Sequence, residues 1–206
     1  EAPEALLQGD VEAMRALART LVLSGLGMTL CGGSHPASQG EHLISHYIDM
    51  FAPGGRADYF NGEQAAVATL TMARIQEDVL AGGPPRLSAP SIGRPELQRL
   101  FGREIGASCW REFEAKAVLR RAAPGFEQRI SAGWNAVRER VRGVTIPAAK
   151  IAAVLERAGC PTTPAQIGVP PDFYDTAVRH ARFLRDRYTF LDLADDAGRL
   201  AARQRH

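Results

Sequence analysis

Residues 61–85, "NGEQAAVATLTMARIQEDVLAGGPP", contain a long segment that is typical of a helix and then a clear stop. Alanine, valine, leucine and methionine dominate residues 62–80, and the glycine-proline run after them ends the helix. No part of the chain alternates apolar and polar residues over a useful length, and no internal repeat is visible. The sequence therefore predicts an all-α fold.

Further helices are predicted on both sides of this segment. An approximate 3.6-residue apolar period predicts one helix from Pro3 to about Ser24, and a second helix is predicted over residues 41–52. On the other side, helices are predicted over residues 94–104, 109–122, 125–143, 146–159, 170–188 and 190–203. Loops are predicted at 31–40, 52–60 and 82–93. The prediction is a single domain over residues 1–206 with roughly eight to ten helices.

Composition and charge exclude several classes of protein. The 25 basic and 23 acidic residues leave a net charge of +2, which gives no reason to expect nucleic acid as a partner. Cys31, Cys109 and Cys160 form no paired spacing, which favours a reducing cytoplasm. No apolar run approaches the ~20 residues of a membrane span. These features predict a cytoplasmic protein that neither spans a membrane nor binds nucleic acid.

Two histidines stand out in "GEHLISHYID", residues 40–49. His42 and His46 are four residues apart, so on a helix they share one face. Asp58, Asn61 and Glu63 follow across a short loop, at the head of the next helix. The spacing is compatible with a metal or acid–base site. It is equally compatible with two helix histidines that have no function, and the spacing alone leaves both interpretations open.

Three longer stretches resemble the sn-glycerol-1-phosphate dehydrogenases. They are "SGLGMTLCGGSHPASQGEHLISHYIDM" at 24–50, "NGEQAAVATLTMA" at 61–73 and "LRDRYTFLDLA" at 184–194. That family stands with the iron-containing alcohol dehydrogenases, the glycerol dehydrogenases and the 3-dehydroquinate synthases. Its members have an N-terminal nucleotide-binding domain and a C-terminal all-helical domain. This chain resembles only the second, and it begins at Glu1 without methionine, so we expect a piece of a longer protein.

The resemblance implies a role for seven residues. His42 falls on a metal ligand, and His46 falls on a histidine that handles protons or the substrate phosphate. The other histidine ligand is expected in an "HGE" triplet, where this chain has Asn61, so metal affinity should be weakened. The family loop "SSRPASG" appears here as "GSHPASQG", and its Ser34, His35 and Ser38 are expected to bind substrate. Glu41 and Ser38 are candidates to support the first ligand.

The implied activity is reversible hydride transfer between NAD(P)H and dihydroxyacetone phosphate. The implied metal is divalent, with zinc first and nickel or iron as alternatives, and NAD or NADP is expected to bind mainly to the missing domain. The implied partner is a polyol phosphate, while a homo-oligomer is left open. Two other interpretations are a degenerate, non-catalytic helical binding module and a dehydroquinate-synthase-like lyase.

Other chemically capable residues are expected to be structural. His180 is expected on the surface of a basic helix, and Arg185, Arg187 and Tyr188 are expected to pack or pair rather than to catalyse. Both tryptophans, Trp110 and Trp134, are expected in the core, and Cys31 is expected to be an inert thiol.

Overall fold

The computed structural model describes residues 3–53, 60–86, 92–121 and 125–200, except for the side chains of 117–121. The helices in these ranges are α1 (Pro3–Leu7), α2 (Val11–Leu30), α3 (Gly40–Phe51), α4 (Asn61–Ala81), α5 (Arg94–Phe101), α6 (Arg103–Arg121), α7 (Phe126–Arg142), α8 (Ala148–Arg157), α9 (Pro171–His180) and α10 (Phe190–Asp196). Two 3-10 turns cover Pro164–Ile167 and Ala181–Phe183. No strand occurs within these ranges, so the predicted all-α fold is confirmed.

The core is built around α3 and α4, which pack against each other. α8, α10 and the first 3-10 turn also contact α4, while α9 and the second 3-10 turn contact α3. Ile44 and Ile48 of α3 and Leu70 of α4 are fully buried in this core. The histidine-bearing helix is therefore one of the best-supported elements of the fold.

The single helix predicted from Pro3 to Ser24 is wrong in two respects: the structure divides it into α1 and α2, and α2 ends later than predicted. A turn at Gly9, which has a positive φ of 74°, separates α1 from α2. Asp10 then caps the start of α2 by accepting a hydrogen bond from Ala13 N at 2.9 Å. At the other end α2 continues to Leu30, and Thr29 Oγ1 donates to Gly25 O within it. α2 thus continues six residues past the predicted end and stops just before the loop that the sequence predicted at 31–40.

The C-terminal helices are shorter than the sequence predicted. The helix predicted over 170–188 ends at His180, and an irregular segment follows the second 3-10 turn. Thr189 then starts α10, because its Oγ1 accepts from Leu191 N and its own N donates to Asp192 Oδ2 at 2.8 Å. α10 ends at Asp196, and residues 201–203 of the predicted helix lie outside the described ranges.

Helix α8 follows its sequence signals closely. Pro147 immediately precedes Ala148–Arg157, and Gly159 follows the helix with a positive φ of 69°. Earlier in the chain, the sequence predicted a break between two helices at residues 105–108, but α6 begins at Arg103 and runs through these residues.

Two expectations about large side chains have opposite outcomes. Trp134 is buried, and Trp110 packs partly buried against the core. The surface position predicted for His180 is wrong, because the second 3-10 turn folds this residue onto α3. Its imidazole lies 6.1–6.3 Å from the ring centres of Tyr47, Phe101 and Phe183.

Helix α2 is the exception to the packing of the other long helices. None of its residues is buried, and eight of its large apolar side chains are 42–88% exposed. Even so, no helix in the described ranges is both long enough and apolar enough to cross a membrane.

Candidate functional site

The start of α3 is held tightly against the core at Gly40. This residue is buried, and a Cβ atom placed on it would lie 2.6 Å from Met72 Sδ of α4 and 3.3 Å from Leu191 of α10. Only glycine allows this close approach without moving its neighbours. The first turn of α3, which carries the candidate ligand, is thereby fixed relative to two other helices.

His42 is oriented by the residue that precedes it. Glu41 Oε1 accepts from Gln39 N at 2.8 Å and lies 3.0 Å from His42 Nδ1. When Nδ1 donates to this carboxylate, Nε2 keeps its lone pair, which is the tautomer that a metal ligand requires. The imidazole is partly exposed, so Nε2 is not sealed in the core. Glu41 thus has the geometry of a residue that supports a ligand.

His46 lies beside His42, with 6.4 Å between the ring centres. Partial burial, and after it the positive charges of Arg185 and His42, lower the pKa of His46, while Asp49 opposes this shift. This shift favours the neutral imidazole, the form that can accept a proton.

Asn61 reaches the same helix through its amide nitrogen. Asn61 Nδ2 donates to Ser45 Oγ at 3.2 Å, Ser45 donates to Gln64 Oε1 at 2.9 Å, and Gln64 Nε2 donates to Asp49 Oδ1 at 3.2 Å. This chain of hydrogen bonds ties the head of α4 to α3. It places Asn61 next to the residue three positions after His42, with its amide nitrogen already occupied.

The donors present fit a metal ion only in part. His42 can offer Nε2, but an amide oxygen from Asn61 is a poor ligand for zinc. The described ranges contain no group of three histidine, cysteine, aspartate or glutamate side chains that could hold a metal. Asp58, which the sequence placed near this site, lies outside those ranges. A complete site would thus need at least one more ligand from elsewhere.

The candidate substrate-binding residues lie on the loop of residues 31–39. Ala37 N donates to Ser34 O at 3.1 Å, which forms a turn, and Gln39 Nε2 donates to His35 O at 2.6 Å. Ser34 and His35 are exposed, and Ser38 is half-buried directly before α3. The loop therefore presents two hydroxyl groups and an imidazole beside the start of α3.

Arg187 joins this loop to the C-terminal part of the chain, a connection that the sequence did not reveal. Its Nη2 donates to Ser34 Oγ at 3.0 Å, and its Nη1 donates to the carbonyl oxygen of Ser38. The neighbouring Arg185 is exposed and is close enough for its charge to act on His46. The "RDR" of residues 185–187 was the available signal, but its target lies about 150 positions away in the chain.

Comparison with known proteins confirms the resemblance to glycerol-1-phosphate dehydrogenases. The chain is 28% identical to the glycerol-1-phosphate dehydrogenase [NAD(P)+] of Bacillus velezensis over 98% of this chain and 41% of that protein. It is 42% identical to the enzyme of that name from Hyperthermus butylicus over 49% of this chain, and 37% identical to the one from Staphylothermus marinus over 36%. These matches cover 26% and 20% of the two relatives. No protein-family model matches the chain. The chain spans about two-fifths of the length of the Bacillus relative.

Proposed function

We propose that this chain is the helical part of an NAD(P)-linked oxidoreductase that acts on a polyol phosphate such as glycerol 1-phosphate. The observation that carries the proposal is the pairing of a carboxylate-oriented His42 with His46 at the fixed start of α3. The names of the similar proteins support the same reaction class and favour it over a lyase.

In this proposal His42 and His46 have different tasks. His42 would hold a divalent metal through Nε2, with Asn61 at the position of a second ligand and at least one more ligand from outside the described ranges. When bound, the ion would act as a Lewis acid on the substrate oxygen. His46, whose lowered pKa favours the neutral form, would take the hydroxyl proton while the carbon-bound hydride goes to NAD(P)+. Ser34, His35 and Ser38 would bind the phosphate or the hydroxyl groups.

The cofactor is proposed to bind mainly to a domain outside this chain. Two observations support this arrangement: the Bacillus relative is much longer than the part matched, and the apolar face of α2 has no cover among the described residues. We therefore expect no turnover from the 206 residues alone. A cytoplasmic location and a homo-oligomer stay predictions.

Asn61 favours a second candidate function, a helical binding module that has lost catalysis. Its amide nitrogen bonds to Ser45, and its oxygen replaces an imidazole at the position where the resemblance implies a ligand. In that case zinc, nickel and iron would each bind weakly or not at all.

A zinc titration of the Asn61→His variant tests the metal site. The new imidazole should raise zinc affinity by at least about tenfold, the smallest effect typical of residues that merely support a ligand. The double variant Asn61→His/His42→Ala is the matched control and should lose the gain. Equal affinity of the single variant and the unchanged chain would show that position 61 is not a ligand position.

The activity itself is tested with the longest polypeptide that the gene encodes around this chain. Oxidation of sn-glycerol 1-phosphate should produce NADH or NADPH, and His46→Gln should lower kcat by roughly 10²–10⁴-fold. If the polypeptide binds the phosphate ester without any turnover, the second candidate function is correct instead.

A further inference from the structure

We infer that Arg187 is a positioning residue, which holds the loop of residues 31–39 in the conformation that presents Ser34 and Ser38 to a ligand. The inference rests on the proposed function only for the identity of that ligand. The structural part depends on two hydrogen bonds from one guanidinium group.

The loop has little support of its own. Residues 31, 32 and 34–36 are exposed. The amides of residues 31–33 donate to carbonyl groups in the last turn of α2, and the hydrogen bonds from Ala37 N and Gln39 Nε2 stay within the loop. Among the hydrogen bonds of the described residues, those from Arg187 are the ones that tie this loop to a distant element. The guanidinium group contacts both ends of the segment from Ser34 to Ser38. A planar group that donates to two acceptors fixes both distance and orientation, which a single ammonium group does not.

Arg187 is itself anchored in the core. Its carbonyl oxygen lies 3.4 Å from Lys116 Nζ, which also donates to the carbonyl oxygen of Arg182 and lies 2.7 Å from Asp192 Oδ1. The side chains of Lys116 and Asp192 are almost completely buried. The backbone at Arg187 is therefore bound by a lysine of a buried ion pair, while the Arg187 side chain binds the exposed loop. This connection explains how a segment near the C-terminus can determine the geometry of a loop about 150 positions earlier in the chain.

Hydrogen–deuterium exchange of Arg187→Ala, in the longest polypeptide that the gene encodes around this chain, tests the positioning role without reference to any activity. The amides of Ala37 and Gln39, which donate hydrogen bonds in the part of the loop that Arg187 contacts, should exchange roughly tenfold to hundredfold faster, the factor expected for losing a hydrogen bond from a charged donor. The amides of α4 should be unaffected. Arg111→Ala is the matched control, since Arg111 is exposed and, among the described residues, its side chain donates to Ser108 of its own helix. Unchanged exchange in the loop, or an equal increase in α4, would overturn the inference.

The Arg187→Lys variant keeps the charge and guards against a variant that does not fold. One ammonium group cannot reproduce both contacts, so the loop should show an increase in exchange smaller than that of Arg187→Ala. If Arg187→Ala does not fold, Arg187→Lys decides the question alone: faster exchange confined to residues 31–39 supports the inference, and none contradicts it.

Kinetics with sn-glycerol 1-phosphate then separate this inference from the proposed function. We expect Arg187→Ala to lower kcat/KM for the phosphate ester by roughly 10²-fold, with the KM for NAD(P)+ unchanged and with partial recovery in Arg187→Lys. Faster loop exchange in a protein that never turns over this substrate would leave Arg187 a positioning residue and refute the proposed function. Faster loop exchange with unchanged kcat/KM in an active enzyme would overturn the inference.

Discussion

Helices α2 and α4 are nearly equal in length, at 20 and 21 residues, and both are rich in leucine, valine and alanine. Nine residues of α4 are buried, whereas α2 buries none. The difference lies in what covers each helix: α3, α8 and α10 pack against α4, but α2 has its described contacts mainly with the short α1. An apolar helix face therefore predicts that burial is favourable, and only the neighbouring elements decide whether it happens.

The same contrast separates the candidate site from the N-terminal region. His42 and His46 lie on α3, which shares the core with α4, so their backbone positions are over-determined by packing. Preorganised groups need this kind of rigid support. The exposed face of α2 is a surface on which further protein could pack, in agreement with the proposal that this chain acts as part of a longer polypeptide.

The largest predicted effect comes from breaking a buried ion pair of α10, one of the helices that pack on α4. Lys116→Met removes the nearer of the two cations that face the buried Asp192 and leaves Arg182 at 3.8 Å, and we expect the free energy of unfolding to fall by about 3–5 kcal/mol. α10, which packs on α4 and contains Asp192, should loosen first. Urea unfolding followed by circular dichroism measures this loss. The double variant Lys116→Met/Asp192→Asn removes both charges and should recover part of it; no recovery would mean that the ion pair is not the reason.

A matched pair of leucines compares the two helices directly. Leu70→Ala in α4 should cost about 2–5 kcal/mol of unfolding free energy, because the side chain is fully buried. Leu21→Ala in α2 should change it by no more than about 0.5 kcal/mol, because that side chain is 64% exposed. Urea unfolding of both variants gives the difference. A cost above about 2 kcal/mol for Leu21→Ala in this chain would show that α2 is covered after all.

A smaller effect concerns the pH dependence of the core. Burial, and after it the charges of Arg179 and Arg182, lower the pKa of His180, while Glu96 opposes the shift. Between this lowered pKa and the value of about 6.5 for an unfolded histidine, the unfolded chain binds more protons. Stability should thus rise with pH through this window and be lost as the pH falls.

His180→Phe should flatten this dependence, since the ring of Tyr47 and its aromatic neighbours would then surround an uncharged side chain. Thermal unfolding from pH 7 to pH 5 measures the slope. His35→Phe, on the exposed loop, controls for the loss of one histidine. An unchanged slope in His180→Phe would show that another group carries the acid sensitivity.

Much of the fold could be predicted from local signals. Helix α8 begins after Pro147 and ends before Gly159 as the sequence indicates, because both residues restrict the backbone locally. The predicted exposure of a residue failed where a distant element covered it. His180 was expected on the surface because a helix was predicted to continue past it, and the turn at Ala181–Phe183 instead packs against α3.

The candidate site divides in the same way. The spacing of His42 and His46 already indicated neighbouring imidazoles, since four residues make about one helical turn. The partner of His42 is also local, because Glu41 precedes it directly. Arg187 could not be assigned from the sequence, since its bonds to Ser34 and Ser38 depend on how α10 and the preceding segment fold onto the core.

The sequence by itself determined the helical class, the histidine pair and the resemblance to a dehydrogenase family, because periodicity, spacing and motifs are properties of neighbouring residues. Only the tertiary structure decided that α4 is buried while α2 is not, and that Asn61 bonds to Ser45. It also decided that an arginine near the C-terminus holds the loop before α3. Each of these depends on contacts between residues far apart in the chain, and such contacts exist only when the whole set of helices packs together.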